Sequence, residues 1–276
     1  MDAWAHRRAA SAAAAAWLAL TVFGGCDRRE AEGPLPVLTF GGQGLGPGQF
    51  VYPRAIAVAP DGCVFVVDKT ARIQRFDADG RFQTFWRMPE WEAGKPTGLF
   101  VDRRGRVLVA DTHYHRVMIY DRDGRELGRF GTRGTGAGQF ELTTDVAEDD
   151  DGGLYVSEYG GNDRISRFAP DGCWTGSFGG PDAGPAALRR PQSLVWDPQG
   201  SLWVADAVNH RICRFSPEGR LLQSFGRMGA GPGELKYPYG LALFPDGTLL
   251  VSEFGNNRVQ RFDRGGASLG VWGGTG

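Results

Sequence analysis

From Phe40 to the C-terminus, apolar and polar positions alternate in short runs broken by Asp-Gly, Pro-Gly and related pairs. One stretch shows the unit clearly: SLVWD (193–197), SLWVAD (201–206), RICRFS (211–216) and RLLQSFG (220–226), with the turn signals DPQG and SPEG between them. Alternation with period two puts every second side chain on one face of a pleated strand, so each run predicts a half-buried β-strand. Residues such as Asp-Gly tolerate the positive φ that tight hairpins need, so consecutive runs predict antiparallel neighbours.

The same outline returns along the chain. AIAVAPDG, VFVVD, RIQRFDADG and RFQTFW form an earlier set, and GLALFPDG, LLVSE, RVQRFDRGG and SLGVWG form the last. Aligned on aromatic-glycine corners, Phe40, Phe85, Phe130, Phe178, Phe225 and Trp272 recur at intervals of 45 to 48 residues. Four strands per repeat of this length, repeated radially, predict an all-β protein built as a β-propeller of four-stranded antiparallel blades. Five complete sets are present, with one extra N-terminal strand, PVLTFG (36–41). Ring closure removes exposed strand edges, which favours a closed ring of five; the alternative is an incomplete six-bladed ring. The composition agrees, with 43 glycines, 16 prolines and 12% aromatic residues in a chain of 276.

The repeats resemble the NHL family, whose pattern runs from a glycine-rich stretch through a proline step and a V-A-D strand end to an N-H-R-I start. The matching segments are GPGQFVYPRAIAV, KPTGLFVD with VLVADTHYHRVMIY, SLWVADAVNHRICRF, and GPGELKYPYGLAL with LLVSEFGNNRVQRF, within residues 40–273. The resemblance is specific for fold and not for function, since propellers of this kind include binding domains, lyases and sensors.

The N-terminus belongs to another system. MDAWAHRR is followed by the apolar run AASAAAAAWLALTVF and then GGC, which resembles a bacterial lipoprotein signal ending at Cys26. The expected organisation is a signal peptide at 1–25, a lipidated tether at 26–35 and the propeller at 36–276, in a bacterial cell envelope and membrane-anchored through lipid on Cys26; secretion is the alternative. The remaining cysteines, Cys63, Cys173 and Cys213, are widely spaced with no CxxC and are expected to be small buried apolar residues. A formal net charge of −1 gives no broad pull toward nucleic acid, and no nucleic-acid partner is expected.

DTHYHR (111–116) has the look of a metal ligand cluster, but the repeat changes its meaning. The segment falls where other units have DKTAR, EYGGNDR, DAVNHR and EFGNNR, so it is the loop between second and third strands. An acid ends the second strand and an arginine opens the third in every unit: Asp68 and Arg72, Asp111 and Arg116, Glu158 and Arg164, Asp206 and Arg211, Glu253 and Arg258. Fivefold recurrence implies structural ion pairs, with the carboxylate expected to accept both forks of the guanidinium. The glycine-rich segments GGQGLGPGQF, GTRGTGAGQF and GRMGAGPGEL have strands on both sides, so they read as blade-to-blade crossings and not as nucleotide loops.

Crossings and second-to-third loops should share one face of the propeller, and positions that vary between repeats there are the candidate ligand-binding residues. After the proline slot these are Arg54, Thr97, Thr144, Gln192 and Tyr239; on the loops they are His113, Tyr114, His115, Tyr159, Asn162, Asn209, His210, Phe254 and Asn256. No nucleophile, base and orienting group come together, no catalytic residue or metal ligand is assigned, and no cofactor is expected. The leading expectation is a non-enzymatic scaffold that recognises a protein, peptide or glycan. The alternative is a metal-dependent propeller enzyme of lyase or lactonase type, its channel lined by Asp102, Asp145 and Trp196 with Arg54 and Tyr239 near the mouth.

Overall fold

A computed structural model describes residues 38–274. The signal segment, Cys26 and the tether lie outside the described residues.

Five four-stranded sheets follow one another, each an antiparallel meander in chain order. Blade 1 consists of Pro53–Val58, Val64–Asp68, Arg72–Phe76 and Phe82–Arg87. Gly98–Val101, Val107–Asp111, Arg116–Tyr120 and Glu126–Phe130 form blade 2, and Leu142–Glu148, Leu154–Tyr159, Arg164–Phe168 and Trp174–Phe178 form blade 3. Blade 4 is Pro191–Asp197, Ser201–Asp206, Arg211–Phe215 and Leu221–Phe225; blade 5 is Pro238–Leu243, Leu249–Glu253, Arg258–Phe262 and Ser268–Gly273. The second strands are sandwiched between blades on both sides and are buried almost throughout, as VLVAD and SLWVAD show. The fourth strands alternate between exposed and half-buried positions, as expected at the rim.

Apolar side chains on facing sheets fill each junction. Phe65, Val67 and Trp86 meet Val107, Val109 and Tyr120 between blades 1 and 2. Phe140, Val156 and Phe168 meet Leu108 and Val117 between blades 2 and 3. Equivalent clusters join blades 3 and 4, around Cys213 and Phe215, and blades 4 and 5, around Trp203 and Phe262. In blades 2 to 5 the glycine after the terminal aromatic has positive φ, for example +94° at Gly131, where a Cβ would stand 2.5 Å from the Phe140 ring. The corner needs glycine for both reasons. In blade 1 the equivalent aromatic is Trp86, one residue beyond the Phe85 expected, and Arg87 follows it.

Two expectations change. An extra N-terminal strand is present, but it is Gly42–Gln43, pairing parallel with Gln49–Phe50, and the described part of 36–41 is not in a strand. The glycine-rich crossing curls back on itself before blade 1 begins. Phe40 nonetheless sits 4.8 Å from Phe76, just as Phe130 sits 4.8 Å from Phe168, so it holds the place of a preceding blade's last aromatic. The second change concerns closure. First strands of consecutive blades pack together from blade 1 to blade 5, but those of blades 5 and 1 make no comparable contact among the described residues. They are half-exposed along most of their length, whereas the first strands of blades 3 and 4 are largely buried. The five blades therefore form an arc whose two ends are not joined as the inner junctions are.

The cysteines also differ from one another. Cys213 is fully buried, Cys63 is half-buried and Cys173 is exposed, because the last follows an Asp-Gly turn at the rim and not a core strand.

Candidate functional site: the loop face

The face that carries the crossings is built on the acid and arginine pairs. In blades 2 to 5 the two residues are direct cross-strand partners, which sets their side chains together at the hairpin end. Distances from arginine to carboxylate are 3.0 Å for Arg72 and Asp68, 2.9 Å for Arg116 and Asp111, 2.6 Å for Arg164 and Glu158, 2.7 Å for Arg211 and Asp206, and 2.5 Å for Arg258 and Glu253. The contact is not the double fork expected from the sequence. In four of the five, Nε alone meets the carboxylate.

The remaining donors hold the crossing. Arg164 donates to the carbonyls of Thr135, Gly136 and Gln139; Arg211 donates to Pro185 and Ala187; Arg258 donates to Ala230, Gly231 and Glu234. The carboxylate grips the same crossing from its other end. Asp68 accepts the Val51 N–H, Glu158 that of Glu141, Asp206 that of Arg189 and Glu253 that of Lys236, each 17 residues upstream. Lysine has neither the reach nor the donor number for this task. Blade 2 departs from the scheme: its crossing lacks the glycine-rich curl, and Arg116 reaches Glu90 at 2.5 Å instead of backbone carbonyls. Burial pushes the Asp111 carboxyl up to about 6 despite the guanidinium beside it.

Several ligand-face candidates prove to be part of this frame. Asn162 donates to Glu158 at 3.2 Å, Asn209 to Asp206 at 2.8 Å and Asn256 to Glu253 at 2.6 Å. His115 Nδ1 meets the Glu141 carbonyl, and His210 Nδ1 accepts the Tyr237 N–H at 3.1 Å, so both stitch one blade to the next. Tyr114 accepts the Ala93 N–H at 3.1 Å, and His113 lies against Gly94 of the first crossing. No group of three or more His, Cys, Asp or Glu residues gathers among the described residues.

The slot after the proline lies at a β-bulge in blades 1, 3, 4 and 5, a device that re-aims a side chain. Arg54 and Tyr239 are exposed there, whereas Thr144 and Gln192 are buried. Thr144 Oγ1 pairs with Ser157 Oγ at 2.6 Å and with the Pro191 carbonyl at 2.7 Å; Thr97 Oγ1 pairs with Thr112 Oγ1 at 2.7 Å. Asp145 accepts from Ser193 Oγ at 3.0 Å and from the Leu194 N–H at 2.9 Å, which ties blade 3 to blade 4. Desolvation pushes its carboxyl up to about 6, with no cation among the described residues beside it to oppose the effect.

The other channel candidates do not converge with it. Asp102 caps its own turn through the N–H groups of Arg104 and Arg106, and Trp196 stacks on Tyr155 while donating to Asp150 at 3.2 Å.

What the face leaves open is aromatic and cationic. Tyr52, Tyr237, Tyr239 and Phe254 are exposed, Phe254 to 73%. Tyr239 and Phe254 are 6.2 Å apart, His210 and Tyr237 4.6 Å. Lys69 stands 5.2 Å from the Tyr52 ring and Arg190 4.8 Å from that of Tyr159. Sequence reasoning missed Tyr52, Arg190 and Tyr237, which precede the prolines and adopt positive φ of 50°, 55° and 51°. Their signal was the shared X-Pro position, which the slot after the proline overshadowed.

Fold and face together define a five-bladed β-propeller with an elaborated loop face. Residues 188–215 and 235–262, which lie in and just before blades 4 and 5, match the model of the NHL repeat. The chain is 29% identical to NHL repeat-containing protein 3 of Mus musculus over 166 residues, 54% of this chain and 47% of that protein. It is 35% identical to peptidyl-glycine alpha-amidating monooxygenase A of Xenopus laevis over 125 residues, 41% of this chain and 13% of that one. The chain thus spans less than half the length of either relative. Among solved structures, streptogramin B lyase superposes with a TM-score of 0.60 at 20% identity, covering 79% of this chain and 67% of the lyase. At that identity the likeness is one of fold.

Proposed function

We propose that the protein is an exported, membrane-anchored lipoprotein that acts as a non-enzymatic binding scaffold, recognising a protein, peptide or glycan through its loop face. The observation that carries this reading is the set of exposed aromatic side chains, Tyr52, Tyr237 and Phe254 on loops and Tyr239 at the start of a strand, beside segments held by buried clamps. A pre-ordered frame lowers the entropy lost on binding, and tyrosine supplies contact area with few rotors. Anchoring rests on the sequence alone, on the apolar run that ends at Cys26.

Two experiments test the parts separately. Crosslinking in intact cells should trap a partner with wild type and lose it with Y237A/Y239A/F254A; equal trapping by both would remove the loop face from the function. Fatty-acid labelling should mark the wild-type chain and not Cys26→Ser, and an unlabelled wild type would leave secretion as the simpler reading.

A further inference from the structure

The two faces of the propeller carry charge for different reasons. On the face of the short turns, aspartates serve the backbone: Asp77 accepts the N–H groups of Asp79 and Arg81, Asp121 those of Asp123 and Arg125, Asp149 those of Asp151 and Gly153. The fold therefore accounts for these acids. On the loop face, Arg189, Arg190 and Lys236 lie on the crossings that enter blades 4 and 5, and no carboxylate stands within ion-pair distance of them among the described residues. The neighbouring acids are engaged with backbone N–H groups or with the clamps. Asp163 accepts the Gly160 and Arg190 N–H groups, and Asp206 and Glu253 lie buried in their clamps. No ion pair among the described residues accounts for the three cations, although Arg190 also lies over the Tyr159 ring.

Beside them, the rings of Tyr159 and Tyr237 each have a neighbour of the same chain, and Phe254 stands exposed. Arg190 covers Tyr159, and His210 leans on Tyr237 at an interplanar angle of 60°. Bases and sugars stack on open faces, and Arg190 and His210 each occupy ring surface on Tyr159 and Tyr237. Ring edges carry partial positive charge, so they add to the pull of the cations on a carboxylate. Phe254, 73% exposed, leaves an apolar surface next to them.

We propose that this strip, over blades 3 to 5, docks an acidic peptide segment of a partner protein, its Asp and Glu side chains meeting Arg189, Arg190 and Lys236 and an apolar side chain meeting Phe254. The proposal rests on the loop-face reading above and narrows it to one ligand chemistry. Charge complementarity of this kind sets on-rate and specificity, and it weakens with salt.

The test is fluorescence anisotropy with the full chain purified in detergent and a short labelled peptide of Asp and Glu containing two Phe, beside the same peptide with Asn and Gln. The acidic probe should bind in the micromolar range and the amide probe at least about tenfold more weakly, with affinity falling between ~50 and ~500 mM salt. R189E/R190E/K236E should weaken acidic-probe binding at least about tenfold. Phe254→Ala should weaken it while leaving the salt dependence in place. Arg189, Arg190 and Phe254 are exposed and Lys236 half-buried, and none of these side chains enters a clamp, so thermal melts should match wild type and separate lost binding from lost folding. Equal binding of both peptides, indifference to the charge reversal, or tighter binding of single-stranded RNA or a heparin oligosaccharide through the same residues would each overturn the proposal. So would self-association abolished by R189E/R190E/K236E, which would make a second copy's acidic turn face the occupant. If the acidic probe fails while crosslinking still depends on Tyr237, Tyr239 and Phe254, this narrowing falls and the scaffold reading stands.

Discussion

Asp121 and Glu253 are both carboxylates that accept backbone N–H groups, one on each face of the propeller, and they do different work. Asp121 bonds to the N–H groups of residues two and four positions on, which shapes only the turn it begins. Glu253 bonds to Lys236 at 2.8 Å, Asn256 at 2.6 Å, Gln260 at 2.8 Å and Arg258 at 2.5 Å, which fastens a hairpin to the crossing that enters its blade. The chemistry is the same; reach and burial differ. A half-buried carboxylate with local partners can exchange them for water, whereas a buried one cannot.

The largest expected effect breaks the clamp outright. Arg258→Ala leaves Glu253 buried without its cation and frees the carbonyls of Ala230 and Gly231, so destabilisation of about 3–5 kcal/mol is expected. Chemical denaturation measures it. Arg258→Lys should recover only part of the loss, because an ammonium cannot serve the carboxylate and the crossing together. A loss below about 1 kcal/mol would mean that the crossing holds itself.

Asp145 sharpens the comparison, since it joins two blades without a cation. A carboxyl raised to about 6 in the folded state favours the protonated form. Its contribution to stability is therefore complete below the ordinary carboxylate range and is lost as pH rises through about 6. At ~1.4 kcal/mol per pH unit this amounts to at most about 3 kcal/mol, and less where solvent reaches the half-buried residue. Asp145→Asn should flatten the fall in stability between about pH 4 and pH 7; an unchanged slope would assign that fall to the other carboxyls raised by burial, such as Asp111, Glu158 and Asp206.

Sequence and structure agree where the signal is local and periodic. Strand alternation and the recurring aromatic-glycine corners made the blades legible, and the spacing of acid and arginine across each second-to-third loop marked the hairpin end. The third party to each clamp was not legible. Its backbone N–H and C=O groups carry no residue signature, so nothing in GRMGAGPGELK announces that Arg258 and Glu253 hold it. The asparagines misled for a related reason: Asn209 and Asn256 vary among repeats as ligand residues do, yet each turns inward as a further donor to its acid. Closure was equally hidden, because a general advantage of closed rings does not say whether blades 5 and 1 meet.

Asn256 gives an intermediate case. Its amide bridges Glu253 and the Gly229 carbonyl at 2.9 Å, and the residue is buried. Asn256→Ala removes a donor to a carboxylate that keeps Arg258, Gln260 and Lys236, so a loss of about 1–2 kcal/mol is expected. In a double mutant with Arg258→Ala the two effects should not add, since both act on one buried acid. Strict additivity, read from the denaturation midpoints of the full cycle, would mean that the clamp is a set of separate contacts.

The smallest effect belongs to the turn face. Asp121→Ala should cost about 0.5–1.5 kcal/mol, the ordinary worth of local side-chain bonds to a turn, and should leave loop-face ligand binding untouched. Glycine at position 124, with φ of +90°, still permits the turn without the carboxylate. The comparison rests on this asymmetry between acids that shape one turn and acids that fasten two segments. If Asp121→Ala proved as damaging as Arg258→Ala, turn formation and not burial of the clamp would be the stability-limiting feature of the blade.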